Sequence, residues 1–409
     1  MLKKIFSNTA AQLTAKFFGA GLTLITTYFT IRLAGLPLYG DLTKILVMVA
    51  VGFTAIDFGL NAEGIRSSRS EAEMQTTAQT IFLTRLLLSF LIIGILNLVI
   101  IYLPGGYSPI VKNIFWLGSL AILFQGVYTS CNSWFQYKLS YWRSTISVIV
   151  GSLLGTFLTL YWLRYSPTLS HLILANTLGY LSMAICSVLL LPPKFRSFGG
   201  LQRSERQIGT LRSILPLLRR SLILGFILIA SVLASKIDTI ILGIYRLSPE
   251  VGQYGFAYRI FDVILVLPVF VMNVIYPLSL QGNLQKSNSK LINQTTKIMA
   301  AIGILVAIIL WFAAPLVNFV KPGMDLTATT LRLLAISLPL FYITAPLMWG
   351  LIGKKRDKLV LGIYLSAAIL NTVLNLSFIP SYGSPAAAIN TGLTEGFLLI
   401  ALLYFSNKS

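Results

Sequence analysis

The sequence predicts an all-α integral membrane protein of about twelve transmembrane helices, arranged as two six-helix repeats in the same orientation. Three observations predict it. Hydrophobic residues make up 56% of the 409 and charged residues only 11%, with a mean hydropathy of +0.80, whereas a soluble domain carries about 25% charged residues. Apolar runs about 20 residues long recur along the whole chain, the length a helix needs to cross a hydrocarbon core of about 30 Å. They lack the alternating ten-residue pattern of an outer-membrane barrel. Finally, Tyr39-Gly40-x-x-x-Lys44-Ile45 returns as Tyr254-Gly255-x-x-x-Arg259-Ile260, an offset of 215 residues and close to half the length.

In order, the spans are expected to start near Ala10, Asp41, Thr77, Lys112, Arg143 and Leu169, then near Leu217, Gly252, Ile292, Leu326, Leu359 and Pro385. The glycine-bearing stretch from Arg32 to Gly40 reads as the short turn of a helical hairpin, with Tyr39 and Gly40 closing it. Met1-Leu2-Lys3-Lys4 runs into an apolar segment longer than a signal peptide's core and without a clear cleavage site, so a retained first helix is expected. Pro192 to Arg212 holds Gly199-Gly200 and five bases, and reads as a cytoplasmic linker beside anionic headgroups. It divides the chain into an N-terminal half (1–191), the basic linker (192–212) and a C-terminal half (213–409). Six helices per half relate the repeats by an axis along the membrane normal.

The net charge of +20 lies between hydrophobic spans and not on a soluble module, so it reports topology and not nucleic-acid binding. With the N-terminus cytoplasmic, 18 basic residues fall on the cytoplasmic side, among them Lys3, Lys4, Arg66, Lys138, Arg143, Lys354, Lys355, Arg356 and Lys358. Five fall opposite: Arg32, Lys112, Arg164, Arg246 and Lys321. That bias makes the span count and the orientation self-consistent, with both termini cytoplasmic. Cys131 and Cys186 both lie in apolar runs and His171 is the sole histidine, so no disulfide framework, metal cluster or catalytic constellation is expected. The short loops leave no room for an extramembrane active site.

Four motifs, in order and at the expected helices, resemble the polysaccharide flippases of the multidrug/oligosaccharidyl-lipid/polysaccharide exporter superfamily. The first hairpin of that family, Arg-x-Leu-Gly-Pro-x-x-Tyr-Gly, is matched by Arg32, Gly35, Tyr39 and Gly40, with departures at Ala34 and Leu36 and the proline one place later at Pro37. Asp57-Phe58-Gly59 with Arg66 resembles the end of the second helix. Asp238 to Gly243, Val251 to Tyr254, Tyr258 to Ile260 and Tyr276-Pro277 resemble the seventh and eighth. The eleventh is matched by Asn371, Asn375, Ile379, Pro380, Gly383, Ala387 and Ala388, with Ala386 in place of a glycine. The resemblance implies a V-shaped fold with a central cleft, and a substrate in the class of polyprenyl-diphosphate-linked oligosaccharides.

Ionisable side chains near the bilayer centre cost at least about 2.5 to 3.5 kcal/mol and need a partner or an aqueous cavity. Lys16 falls roughly 10 Å past the start of the first helix, too deep for easy snorkelling. Arg85, Arg219, Arg220 and Lys297 lie nearer the cytoplasmic ends and read as interfacial anchors. Lys44, Lys236, Arg259 and Arg332 occupy outer halves of helices two, seven, eight and ten. Lys44 and Arg259 are repeat equivalents that can face one another across the cleft; the plainer expectation pairs Arg259 with Asp262, and Lys236 with Asp238 or another neighbour. Lys16, Lys44, Lys236, Arg259 and Arg332 are therefore the candidate diphosphate site. Asp57, Asp238 and Asp262 are candidates for ion coupling or ion pairing, with a local hydrogen-bonding role favoured for Asp57, and Glu63 is expected to pair with Arg66.

Within the spans nine basic residues face five acidic ones, a balance that suits an anionic ligand. Tyr28, Tyr128, Trp134, Tyr137, Tyr254 and Tyr258 can stack on sugars, though membrane aromatics are more often packing or interfacial anchors. The expected activity is alternating-access flipping of a lipid-linked oligosaccharide across a prokaryotic cytoplasmic membrane, for cell-surface polysaccharide synthesis. Gly19, Gly21, Gly151 and Gly155 would permit close helix approach. No cofactor is expected beyond coupling to Na+, H+ or membrane potential. The partners are the substrate, membrane lipids, a polysaccharide polymerase and glycosyltransferases, and no nucleic acid. Three rivals stay open: a cation-coupled multidrug exporter of the same superfamily, a membrane glycan polymerase or ligase, and an uncoupled lipid scramblase.

Overall fold

In hydrocarbon every backbone N–H and C=O must be bonded within its own segment, and long apolar runs meet that demand as helices. The computed structural model describes residues 2–192, 205–281, 285–354 and 356–407, and no strand occurs among them. The helices are α1 (Leu2–Phe29), α2 (Gly35–Asp57), α3 (Leu60–Ser67), α4 (Glu71–Tyr102), α5 (Pro109–Tyr137), α6 (Tyr141–Tyr165) and α7 (Leu169–Leu189). They continue as α8 (Glu205–Tyr245), α9 (Ser248–Gln281), α10 (Gln285–Ala313), α11 (Asp325–Gly353), α12 (Asp357–Tyr382) and α13 (Ser384–Asn407). Eleven described stretches are long and apolar enough to span a bilayer, and the first, Thr14–Ser67, is 54 residues long. At 1.5 Å per residue that is roughly 80 Å, enough for two crossings, so the expected count of about twelve stands.

Helix starts follow local chemistry. Ser70, Ser108 and Thr168 each accept a hydrogen bond from a backbone N–H three residues on, at Glu73, Val111 and His171, which satisfies a donor that the first turn leaves open. His171 then stacks on Trp162 at 5.1 Å and its Nδ1 meets Ser166 O at 2.8 Å, a structural use of the sole histidine. The stretch from Arg32 to Gly40 is not a polar turn. Thr30–Ala34 form a π-helical turn and α2 begins at once, so the break is confined to Gly35, whose φ of 88° needs a residue without a Cβ. At the other end of α2, Phe58 (φ 45°) and Gly59 (φ 69°) turn the chain into α3.

Packing divides the chain into two units. The first comprises Met1–Ala34, Ile45–Leu103 and Tyr107–Ile229. In it α6 packs on α7 and α1, and α5 on α4 and α7. Met74, Cys131, Trp134, Phe135 and Leu191 form one of its cores. Of the glycines expected to allow close approach, Gly151 does so: a Cβ there would lie 2.8 Å from Gly179 O and 2.7 Å from Met183 Cβ. Gly19 and Gly155 have ordinary contact distances, and Gly21 has nothing within 4 Å.

The second unit comprises Gly35–Lys44, Pro104–Gly106 and Ala230–Ser409. In it α11 packs on α9, α10 and α13, and α12 on α13. Leu347, Leu351, Val360, Leu398 and Leu402 fill its core. Of the expected linker, residues 193–204 lie outside the described residues. Residues 205–212 are the opening turns of α8, since no proline or glycine pair interrupts them.

The α5–α6 turn closes with Ser140 N bonded to Phe135 O at 2.8 Å and Leu139 N to Gln136 O at 3.0 Å. Its left-handed position, φ 51°, is held by exposed Leu139 and not by the usual glycine. A side chain there costs roughly 1–2 kcal/mol. Leu139→Gly is therefore expected to raise the melting temperature of the purified protein; a lower melting point would show that the leucine's own contacts outweigh the strain.

Candidate functional site

The second unit gathers the polar side chains that its apolar helices cannot leave unpartnered. Asp238, on α8, is fully buried. Its Oδ1 accepts from Thr239 N at 2.5 Å and Thr239 Oγ1 at 3.1 Å, and its Oδ2 from Tyr254 Oη at 2.5 Å and Thr391 Oγ1 at 3.3 Å. Thr239 N, Thr239 Oγ1 and Tyr254 Oη, with the Thr391 hydroxyl shared between this carboxylate and Ala387 O at 3.0 Å, satisfy it without a lysine or arginine among the described residues. Two residues back on α8, Lys236 Nζ pairs with Asp262 Oδ2 at 2.8 Å and lies 4.4 Å from the centre of the Tyr258 ring. Tyr258 Oη donates to Ser235 O at 2.8 Å, which ties the face of α9 to α8.

Arg259, next to Tyr258, is half-buried and makes no hydrogen bond or ion pair among the described residues. The expected Arg259–Asp262 pair is not formed, because Asp262 is taken by Lys236. Lys236 pairs with a neighbour as expected, and of the two alternatives it is not Asp238 but Asp262.

Sequence reasoning gave α12 and α13 no role in the site, yet they contain a closed ring of hydrogen bonds. Asn390 Nδ2 donates to Asn375 Oδ1 (3.0 Å), Asn375 Nδ2 to Asn371 Oδ1 (2.7 Å), Asn371 Nδ2 to Thr394 Oγ1 (2.9 Å), and Thr394 Oγ1 to Asn390 O (2.8 Å). All four side chains are buried. The signal was present: asparagines at i and i+4 in an apolar helix share one face and bind helices together in a membrane. On the next turn of α13, buried Glu395 accepts from Thr344 Oγ1 on α11.

The remaining candidates are dispersed. Lys44 is fully enclosed in the second unit: its ammonium donates to Gly106 O and to Ser248 Oγ at 2.8 Å and pairs with Asp41 at 3.4 Å, while Ser248 Oγ in turn donates to Asp41. Three acceptors use the three N–H donors of a lysine, so Lys44 has none left for a ligand in this arrangement. Arg332 turns to Trp311, bonding its carbonyl at 3.3 Å and standing 5.8 Å from its ring, and shares no partner with Lys236 or Arg259. Lys16, in the first unit, is exposed on α1.

Asp57, also in the first unit, pairs with Arg85 NH2 at 3.0 Å. Arg85, expected at an interface, is instead fully buried and also bonds Ile56 O (3.1 Å) and Ser130 Oγ (3.1 Å). Glu63 and Arg66 do not pair with each other, and neither forms an ion pair among the described residues. Tyr254 and Tyr258 are buried, with no face open to a sugar.

The resembling motifs have structural uses. Arg246 NH2 donates to Ile379 O at 3.2 Å and Pro380 O at 3.1 Å, while Glu250 Oε1 accepts from Ser384 N at 2.7 Å. The pair thus caps the end of α12 and the start of α13 around Gly383, where a Cβ would lie 2.1 Å from Glu250 Oε1.

A family profile described as "Polysaccharide biosynthesis protein" matches residues 3–283. No curated protein matches the chain by sequence. Among solved structures, the lipid II flippase MurJ in an inward closed conformation is similar at a TM-score of 0.80 and 15% identity, over 99% of this chain and 88% of that one. An inward-facing multidrug-resistance MATE family transporter of the MOP superfamily is similar at 0.74 and 14%, over 95% and 94%. The MATE multidrug transporter DinF-BH is similar at 0.65 and 15%, over 100% and 95%. At these identities the likeness is one of fold.

Proposed function

We propose a substrate from one premise: the chain belongs to the polysaccharide biosynthesis protein family. It is a multi-pass membrane protein with the fold of flippases and transporters and not of an enzyme. The proposed activity is flipping of a polyprenyl-diphosphate-linked oligosaccharide across a prokaryotic cytoplasmic membrane, both termini cytoplasmic, for cell-surface polysaccharide synthesis. Coupling to Na+, H+ or membrane potential belongs to the proposal, with Asp238 the preferred carboxylate because its donors are hydroxyls and one amide. A polysaccharide polymerase and glycosyltransferases are the proposed partners.

The observation that carries the substrate is Arg259. Of the five basic residues expected at the site, it is the one whose charge meets no acceptor among the described residues, while Lys44, Lys236 and Arg332 are engaged. A half-buried guanidinium offers a diphosphate paired N–H donors in a low dielectric.

The test is flipping of a defined lipid-linked oligosaccharide in proteoliposomes. A charged hydrogen bond worth about 1.5–3 kcal/mol puts Arg259→Ala about ten- to a hundredfold below wild type, with Arg259→Lys intermediate. Equal rates for wild type and Arg259→Ala would remove the proposed site. Drug export that survives Arg259→Glu, with no oligosaccharide flipping by the wild type, would favour the exporter reading.

A further inference from the structure

In the first unit, the α5–α6 turn and the start of α4 border a half-open cavity of ≈290 Å³, lined in part by Glu71, Gln75, Trp134, Lys138, Ser140 and Arg143. We propose that this cavity holds the phosphate group of a membrane lipid, at a site separate from Arg259 and independent of the transported substrate.

Four observations support a lipid phosphate. First, both cations are held in place and do not wave in solvent. Lys138 Nζ lies 5.2 Å from the Trp134 ring and 6.0 Å from the Tyr137 ring, which are themselves stacked at 5.8 Å. Arg143 NH1 donates to Leu190 O at 3.1 Å, and its guanidinium stands 5.3 Å from the Trp142 ring. That uses one of the five N–H donors of arginine and leaves the rest for an anion. Second, the charges of Lys138 and Arg143 against the one carboxylate of Glu71 leave a single positive charge, the complement of a phosphodiester.

Third, Trp134 also borders a small apolar crevice of ≈20 Å³ beside Ala78, Phe82, Cys131 and Leu191, so apolar surface adjoins the polar mouth. Fourth, Leu139 and Trp142 on the same turn are 42% and 50% exposed. An exposed tryptophan and leucine beside basic residues mark the headgroup level of a bilayer, where phosphates lie.

Glu71 gives the proposal a direction that a merely structural cluster lacks. Its carboxylate pairs with Lys138 and competes with any anion for that ammonium. Neutralising it should strengthen binding, while neutralising Arg143 should weaken it.

The experiment uses the full chain in nanodiscs and in native mass spectrometry after delipidation. Retention of phosphatidylglycerol is measured beside diacylglycerol, which lacks the phosphate, and beside soluble glycerol phosphate. The expected result is retention of phosphatidylglycerol over diacylglycerol, reduced about fivefold by Arg143→Gln or Lys138→Gln, from about 1 kcal/mol per basic residue at a membrane surface. Glu71→Gln should raise retention and Arg143→Lys should keep it. Lys112→Gln, whose ammonium serves Ile101 O at 2.9 Å away from this cavity, should leave it unchanged.

Melting curves confirm that each variant is folded, and Lys138→Gln carries the test of charge removal if Arg143→Gln fails to fold because Leu190 O needs the bond. Retention that ignores the phosphate, or the same retention in all variants, would overturn the proposal. Glycerol phosphate binding as tightly as the lipid would overturn the assignment to a membrane lipid.

Discussion

Gly40→Ala is expected to unfold the second unit's first contact and to cost at least about 3 kcal/mol, the upper end of overpacking penalties. A Cβ at Gly40 would lie 1.7 Å from Ser248 O and 2.5 Å from Ser248 C. Both atoms are backbone, so no rotamer change relieves the clash and the start of α9 must move. The contact is reciprocal: a Cβ on Gly252 would lie 2.7 Å from Leu36 O, and one on Gly255 would lie 2.7 Å from Thr43 Cγ2.

Displacing Ser248 also opens the Lys44–Asp41–Ser248 network, which leaves a fully enclosed ammonium short of an acceptor. Gly21→Ala is the control, since nothing lies within 4 Å of a Cβ there, and alanine in a helix is favoured by about 0.5–1 kcal/mol. Thermal unfolding in detergent distinguishes the two. Ser248→Gly added to Gly40→Ala should not rescue, because the obstacle is a carbonyl and not the serine side chain. A Gly40→Ala protein melting with the wild type would refute this packing.

The repeated Tyr-Gly-x-x-x-basic motif was legible as a repeat but not as a contact. Both copies carry a glycine because the first turns of α2 and the start of α9 meet at backbone distance in the second unit, and periodicity cannot disclose that two repeats touch. Membrane character and helix number were legible because hydropathy is local; the caps Ser70, Ser108 and Thr168 were not singled out, and spans expected near Thr77 and Lys112 begin earlier, at Glu71 and Pro109, because hydropathy does not register a polar first turn.

Partners of charges were not. Arg85 falls near a helix end by position, yet it is wholly buried because the chain beside it breaks at Phe58 and Gly59 and exposes carbonyls that need a donor. Asp262 was assigned to Arg259 by spacing along α9, and lost to Lys236 because α8 lies alongside. The asparagines of α12 were recorded as a motif, but their ring closes through Asn390 and Thr394 of α13, which only the fold brings opposite.

Arg85→Ala is expected to cost about 3 kcal/mol, the lower end of the range for stripping one partner from a buried pair. The lower end applies because the Asp57 side chain is 41% exposed and keeps some water once its partner is gone. Ile56 O, bonded to Arg85 Nε at 3.1 Å, is not so placed. It sits two residues before a pair of consecutive left-handed residues, where the helix no longer supplies the next N–H.

Loss of the fork therefore loosens the α2–α3 break, and with it the packing of Gly59 on Leu224 and of Phe58 on Gly225. Arg85→Lys keeps the charge but offers a point donor in place of the planar fork, and is expected to recover only part of the loss. Asp57→Asn separates a structural from a coupling role. It retains an acceptor for Arg85, so if Asp57 serves the break it should transport normally and melt within a few degrees of wild type. An Asp57→Asn protein that melts like wild type but no longer transports would assign Asp57 to ion coupling and leave the break to Arg85 and the backbone carbonyls alone.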